Sequence, residues 1–177
     1  SNKAPLVDLW RFNERKTADF LAVVEAAARK HYPVAKVGLS GTRPARGWTG
    51  YDYWLIMKSS HSIHNYGGPM PRETQSFQTP DRFVGYWHGY NSNYRATAGS
   101  LVWQALAMGF SGFTNYATFP HFGPFYPDLT PAPGSAAMRD AHAEIRRGLA
   151  ALLQGATRLR DPIGIHYSQV SAHLSSL

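Results

Sequence analysis

The stretch 97-TAGSLVWQALAMGFSGFTNYATF-119 changes its period halfway along. Leu101, Val102, Ala105 and Met108 recur at the spacing of one helix face, and Gly109 is the residue type that follows a helix end. From there 110-FSGFTNYATF-119 reads as a strand. The joint from helix to strand is tight, whereas the strand runs into a long loop of Pro, Gly and rings, 120-PHFGPFYPDLTPAPG-134. In α/β folds the loops that follow the strands form the ligand face, so this asymmetry says which side of the molecule carries function.

The same order extends outward in both directions. Upstream, Asp8 can cap a helix with Phe20, Val24, Ala27 and Ala28 as its stripe, ended by Pro33. A buried strand is expected at 34-VAKVGLS-40, then loop at 41-GTRPARGWTG-50 and a short helix at 51-YDYWLIMKS-59. Strand and loop follow at 61-HSIHNYGG-68, with a brief helix at 71-PRETQSF-77. A strand from Phe83 to Trp87 then opens into rings and amides, 81-DRFVGYWHGYNSNY-94. Downstream, Ser135 can cap a helix with Met138, Ala141, Ile145, Leu149 and Leu152 as its stripe and Gly155 as its stop. A last strand is expected at 163-IGIHYS-168, before a polar tail. Strands alternating with helices argue for an α/β fold of parallel strand–helix repeats.

Composition narrows the function classes. The chain has 177 residues, 44% hydrophobic and only 16% charged, which is enough apolar material for a core. Its net charge of +7 is spread over helix faces and small loop pairs with no basic run, which argues against a nucleic-acid partner. There is no cysteine, hence no disulfide framework or thiolate nucleophile. No apolar run is long enough to span a bilayer, and the N-terminal residues do not read as a signal peptide. The sequence contains no P-loop, no G-x-G-x-x-G and no G-x-S-x-G, so no cofactor is expected. His61 and His64 on a strand point to opposite faces, so no metal site is expected either. What stands out is the aromatic content of 14%, concentrated on or near strand-end loops. Rings stack on the C–H faces of sugars, and neighbouring amides bind the hydroxyls.

Three segments carry a family resemblance. The helix opening 8-DLWRFNERKTADFL-21, the pair 103-WQALAMGFSGFTNYATF-119, and the helix 136–154 leading through 157-TRLRDPIGIHYS-168 resemble the clan-A β-galactosidase barrels of glycoside hydrolase family 42. The resemblance implies that residues 1–156 are the second half of a (β/α)8 barrel, strands five to eight, and that 157–177 are a linker and the start of a following domain. Such a half leaves two sheet edges for the remainder of the barrel or a second copy of the chain to cover. It also implies a carbohydrate partner and glycosidic-bond hydrolysis by two carboxylates. The family places its acid/base in an Asn-Glu pair after the fourth strand. Asn13-Glu14 repeats those residues, but inside a helix opening, where a glutamate complements the helix dipole. The family nucleophile follows the seventh strand, where this chain reads Gly85-Tyr86-Trp87-His88-Gly89 without a carboxylate.

Glu73 and Asp128 are the carboxylates left in post-strand segments, so the catalytic candidates are Glu73, Asp128 and Glu14. The substrate-binding candidates are Trp48, Tyr66, Tyr86, Trp87, His88, Tyr90, Asn91, Tyr116 and Phe119. The expectation is a glycoside-hydrolase segment that supplies substrate-contacting loops and is inactive by itself. The alternatives are a non-catalytic carbohydrate-binding or scaffold protein and a self-associating half-barrel.

Overall fold

The computed structural model describes residues 2–42, 44–66, 70–88, 94–115, 124–157, 159 and 162–176. Helices and strands alternate as α1 (Ala4–His31), β1 (Gly38–Thr42), α2 (Tyr53–Ser59), β2 (Ser62–Tyr66), α3 (Met70–Ser76), β3 (Phe83–His88), α4 (Tyr94–Ala107) and β4 (Gly112–Asn115). They are followed by α5 (Ser135–Glu144), a π-helical turn (Ile145–Leu149), α6 (Ala150–Gln154) and α7 (Gln169–Leu174). The four strands are parallel and hydrogen-bonded in sequential order β1-β2-β3-β4. This confirms the α/β class and the strand–helix repeat. No helix among the described residues is long and apolar enough to cross a membrane.

Two compact units divide within β3: Ser1–Gly85 with His166–Leu177, and Tyr86–Ile165. In the first, α1 packs on α2, and α3 packs on α2 and β2. In the second, α4 lies against α5 and β4 around Ala98, Val102, Met138, Ala141 and Ile145. Burying a Val, Ile or Met side chain of this kind stabilises the fold by roughly 1.5–3 kcal/mol.

Several expectations need correction. Helix α1 begins at Ala4 rather than at Asp8, with Pro5 in its first turn, where a missing N–H costs nothing. Its buried face is Trp10, Glu14, Ala18, Leu21 and Glu25, not the stripe starting at Phe20, which is 65% exposed. The buried row includes two carboxylates, so an apolar-only pattern could not find it. Strand β1 lies four residues later than its expected start, at Gly38, and takes in Gly41 and Thr42. Residues 163–168 form no strand: Ile163 and Ile165 are exposed, and two isoleucines flanking Gly164 offer too little pattern without a partner ladder. The expected polar tail is instead α7, capped by the Ser168 side chain accepting from the Ser171 N–H at 3.2 Å. Residues 166–177 cluster with the first unit.

The stripe of the 135–154 segment holds through Met138, Ala141 and Ile145 and then fails, leaving Leu152 exposed. The π turn adds a residue, and Gly148 has φ 139°, a conformation closed to residues with a Cβ. Together they rotate the following turn off the face.

Candidate functional site

The site is built where β1 and β2 end. Gly38, Leu39 and Ser40 face Ser62, Ile63 and His64, but beyond them Thr42, not Gly41, faces Asn65. The extra residue is Gly41, at φ 70°, and the resulting bulge re-aims the strand end. Thr42 Oγ1 donates to Asn65 Oδ1, and Asn65 Nδ2 donates to Thr74 Oγ1 at 2.5 Å. The Tyr53 hydroxyl also hydrogen-bonds Thr42. Thr42, Tyr53, Asn65 and Thr74 are fully buried, so the network fastens α3 to the strand ends and fixes where Glu73 stands.

Glu73 is half-buried, in the first turn of α3. Burial pushes its carboxyl up to about 7, the Asp52 charge adds to the effect, and a hydrogen bond with the Tyr167 side chain opposes it. Its Oε1 is buried with no hydrogen-bond partner among the described residues. Asp52 is held as the cap of α2, its Oδ1 accepting from the Leu55 N–H at 3.0 Å. The Tyr167 phenol is itself pushed up, by burial first and then by the Glu73 charge. A carboxyl that titrates near neutrality at a strand end can give or take a proton at working pH.

Tyr167 continues the chain of contacts. Its hydroxyl donates to Gln169 Oε1 at 2.6 Å, and Gln169 Nε2 donates to Glu14 Oε1 and, at 3.1 Å, to the Tyr51 carbonyl. Glu14 Oε1 also lies 2.7 Å from His173 Nε2, and the His173 ring packs on Trp10 with centroids 5.7 Å apart. Glu14 is only 2% exposed and His173 1%. Glu14 is thus a buried partner of α7, with its Oε1 engaged by both Gln169 and His173.

The other expected residues are scattered. Asp128 is exposed and turned into its own loop, accepting from the Thr130 N–H at 3.0 Å and hydroxyl at 2.6 Å, contacts that hold its carboxyl below the usual range. Trp48 is 61% exposed, with the Arg46 guanidinium 5.5 Å from its ring centre. With Asn13, Lys16, Thr17, Phe20 and Thr49 it lines an open groove of about 460 Å³. Tyr66 ends β2, half-buried beside Gly41. Tyr86 is half-buried and stacks on Phe113 at 5.9 Å, and Trp87 is buried at 7% exposure. Tyr90, Asn91, Tyr116, Phe119 and the side chain of His88 lie outside the described residues.

His61 contacts Glu25 Oε1 through Nδ1, and its Nε2 lies 3.5 Å from Asp81; His64 stacks on Phe83 at 5.1 Å. In the second unit, a concavity of about 460 Å³ between Val102, Leu106, Phe110, Phe113, Ile145 and Leu153 is largely apolar. Sequence reasoning missed Asp52, Tyr167 and Gln169. Asp52 was readable as a helix cap before 53-YWLIMKS-59, whereas nothing local marks the other two. No family model, curated protein or solved structure matches the chain.

Proposed function

We propose that the chain supplies four strands and the substrate-contacting loops of a (β/α)8 barrel that hydrolyses glycosidic bonds. Parallel strands paired in strictly sequential order are what a barrel wall requires, whereas doubly wound sheets reverse their order. The observation that carries the chemical part is Glu73, a half-buried acid near the ends of β1 and β2 whose carboxyl is pushed up to about 7. In this role it protonates the leaving glycosidic oxygen as the C–O bond breaks. The family resemblance puts a carboxylate at the end of the fourth barrel strand, N-terminal to α1. The family has its acid/base there; with Glu73 as the acid, that carboxylate takes the nucleophile's part instead, which is a departure from the family. Residues 1–156 then belong to the barrel wall, and the remaining wall comes from further barrel sequence or from a second copy.

The test is hydrolysis of unactivated β-glycosides by the protein carrying the complete barrel. Glu73→Gln should lower kcat/KM by about 10²–10⁴-fold, the usual contribution of a general acid, and Asp128→Asn should leave it unchanged. Full activity in Glu73→Gln would remove Glu73 from the reaction. A second reading, a non-catalytic carbohydrate-binding protein, is favoured by Trp48, an exposed ring beside Asn13 and Thr17 in an open groove. Sugar binding that depends on Trp48, with no hydrolysis, would select it.

A further inference from the structure

Helix α1 has a second face. Its buried row, Trp10, Glu14, Ala18, Leu21 and Glu25, is turned into the first unit. At about 100° per residue, Leu9, Phe12, Phe20 and Val23 lie on nearly the opposite side of the same helix. All four are more than half exposed. One exposed leucine needs no explanation, but four large apolar side chains in a row along a single helix mark a contact surface. A neighbouring helix of a barrel would not cover them, because it would lie beside α1, between its inner and outer faces.

The order of the row says what fits it. Phe12 and Phe20 stand four residues to either side of Lys16, Leu9 and Val23 seven, and Pro5 and Ala27 eleven. The row is therefore apolar at the same places read from either end. Such a surface matches itself when reversed, which is what an isologous two-fold contact requires and what an unrelated partner would not.

We infer that α1 is the seam of a homodimer, in which two copies of the chain pack α1 against α1, antiparallel, about a two-fold axis at Lys16. Phe12 then meets the partner's Phe20, and Leu9 the partner's Val23, each pair occurring twice. Lys16 meets the partner's Lys16 on the axis, and the charges are arranged to allow it. Lys16 Nζ lies 4.0 Å from Asp19 Oδ2, one turn on, and 5.5 Å from the centre of the Phe12 ring. In the antiparallel pair each Asp19 stands on the same flank as the partner's Lys16, so two lysines share two aspartates. A lone polar residue in an apolar seam also fixes its register. A slip of one turn sets Lys16 against the partner's Phe20 and breaks the Phe12–Phe20 and Leu9–Val23 pairs. Phe20 also lines the open groove with Trp48, so the seam continues from the helix onto the loop after β1. From Pro5 to Ala27 the row is about 33 Å long. A contact built on one helix pair of that length belongs at the lower end of specific interfaces, which sets an affinity in the micromolar range. The seam stands whether or not Glu73 takes part in hydrolysis.

The experiment is sedimentation velocity of this chain from about 1 to about 200 µM, followed by site-directed cross-linking. A monomer–dimer equilibrium with a Kd of roughly 1–50 µM is expected. A monomer at every concentration overturns the seam. Phe20→Glu, at an exposed position, puts a charge into the seam twice and should weaken association by about 100-fold or more. Association that survives Phe20→Glu lies elsewhere, at a sheet edge for example, and overturns the proposal. The chain has no cysteine, so single ones can be introduced as reporters. A bismaleimide that spans facing helices, about 8–10 Å apart, should link Lys16→Cys to its own copy. Leu9→Cys and Val23→Cys should each fail to self-link, because their copies lie roughly 20 Å apart along the antiparallel pair. Mixed together, the two should link to each other. Self-linking of Leu9→Cys, or no link at Lys16→Cys, contradicts the antiparallel axis and overturns the proposal.

Discussion

The two units bury different things. Every buried polar or charged residue among the described ones, from Glu14 and Glu25 through Thr42, Asn65 and Thr74 to His173, lies in the first unit. The cluster at the centre of the second is Ala98, Val102, Met138, Ala141 and Ile145. An apolar cluster gains stability in proportion to the area it removes from water and is indifferent to pairing. A buried polar group is stable only with its partner in place, and its loss costs more than the bond was worth. The first unit is therefore the one in which geometry is specified atom by atom.

This contrast can be broken by substitution. The largest effect is expected from Glu14→Ala, which strips His173 and Gln169 of their shared acceptor. Removing one member of a buried pair of this kind costs about 3–5 kcal/mol, read as a shift in urea unfolding. Ile145→Ala in the second unit should cost about 2–4 kcal/mol, with the size set by how far the helices close over the gap. If the two losses are equal, polar and apolar burial are not different in kind here. Next comes Asn65→Ala, which leaves Thr42 and Thr74 without their link; about 1–3 kcal/mol is expected. The same substitution should alter the Glu73 titration, because it loosens α3 from the strand ends. A lost Asn65 with an unmoved Glu73 would mean that the network under α3 does not position the acid.

The smallest effect is in pH dependence, and its sign follows from Glu73. Burial raises its folded-state value to about 7, above that of the unfolded chain, so its bound proton favours the folded state. That contribution is complete below the ordinary glutamate range and is lost as pH rises to about 7. Glu73→Gln cannot ionise and escapes the loss, so its gain in melting temperature over the native chain should be greater at about pH 8 than at about pH 5. Equal gains at both would place Glu73 in a solvated environment.

Legibility in the sequence follows the range of the forces involved. The helix from Tyr94 to Ala107, the tight turn at Gly109 and the strand from Gly112 can all be read from 97-TAGSLVWQALAMGFSGFTNYATF-119, because period and turn chemistry are local. The strand expected at 163–168 failed for the same reason in reverse: local β pattern without a ladder is not a strand. The buried face of α1 was missed because two of its members are glutamates, which an apolar template leaves out. Glu73 was visible as a carboxylate in a post-strand segment, but its environment was not, since it depends on Tyr167, 94 positions away along the chain.

The sequence by itself determined the alternation of helices and strands, and with it the parallel sheet and the side on which the strand-end loops lie. Hydrophobic periodicity, Gly and Pro act within a few residues, and α/β connections have few solutions. Only the tertiary structure decided which carboxylate is held near neutrality and which is buried against α7. Those outcomes come from desolvation and from counting donors and acceptors across elements far apart in the chain, and no run of neighbouring residues records that count.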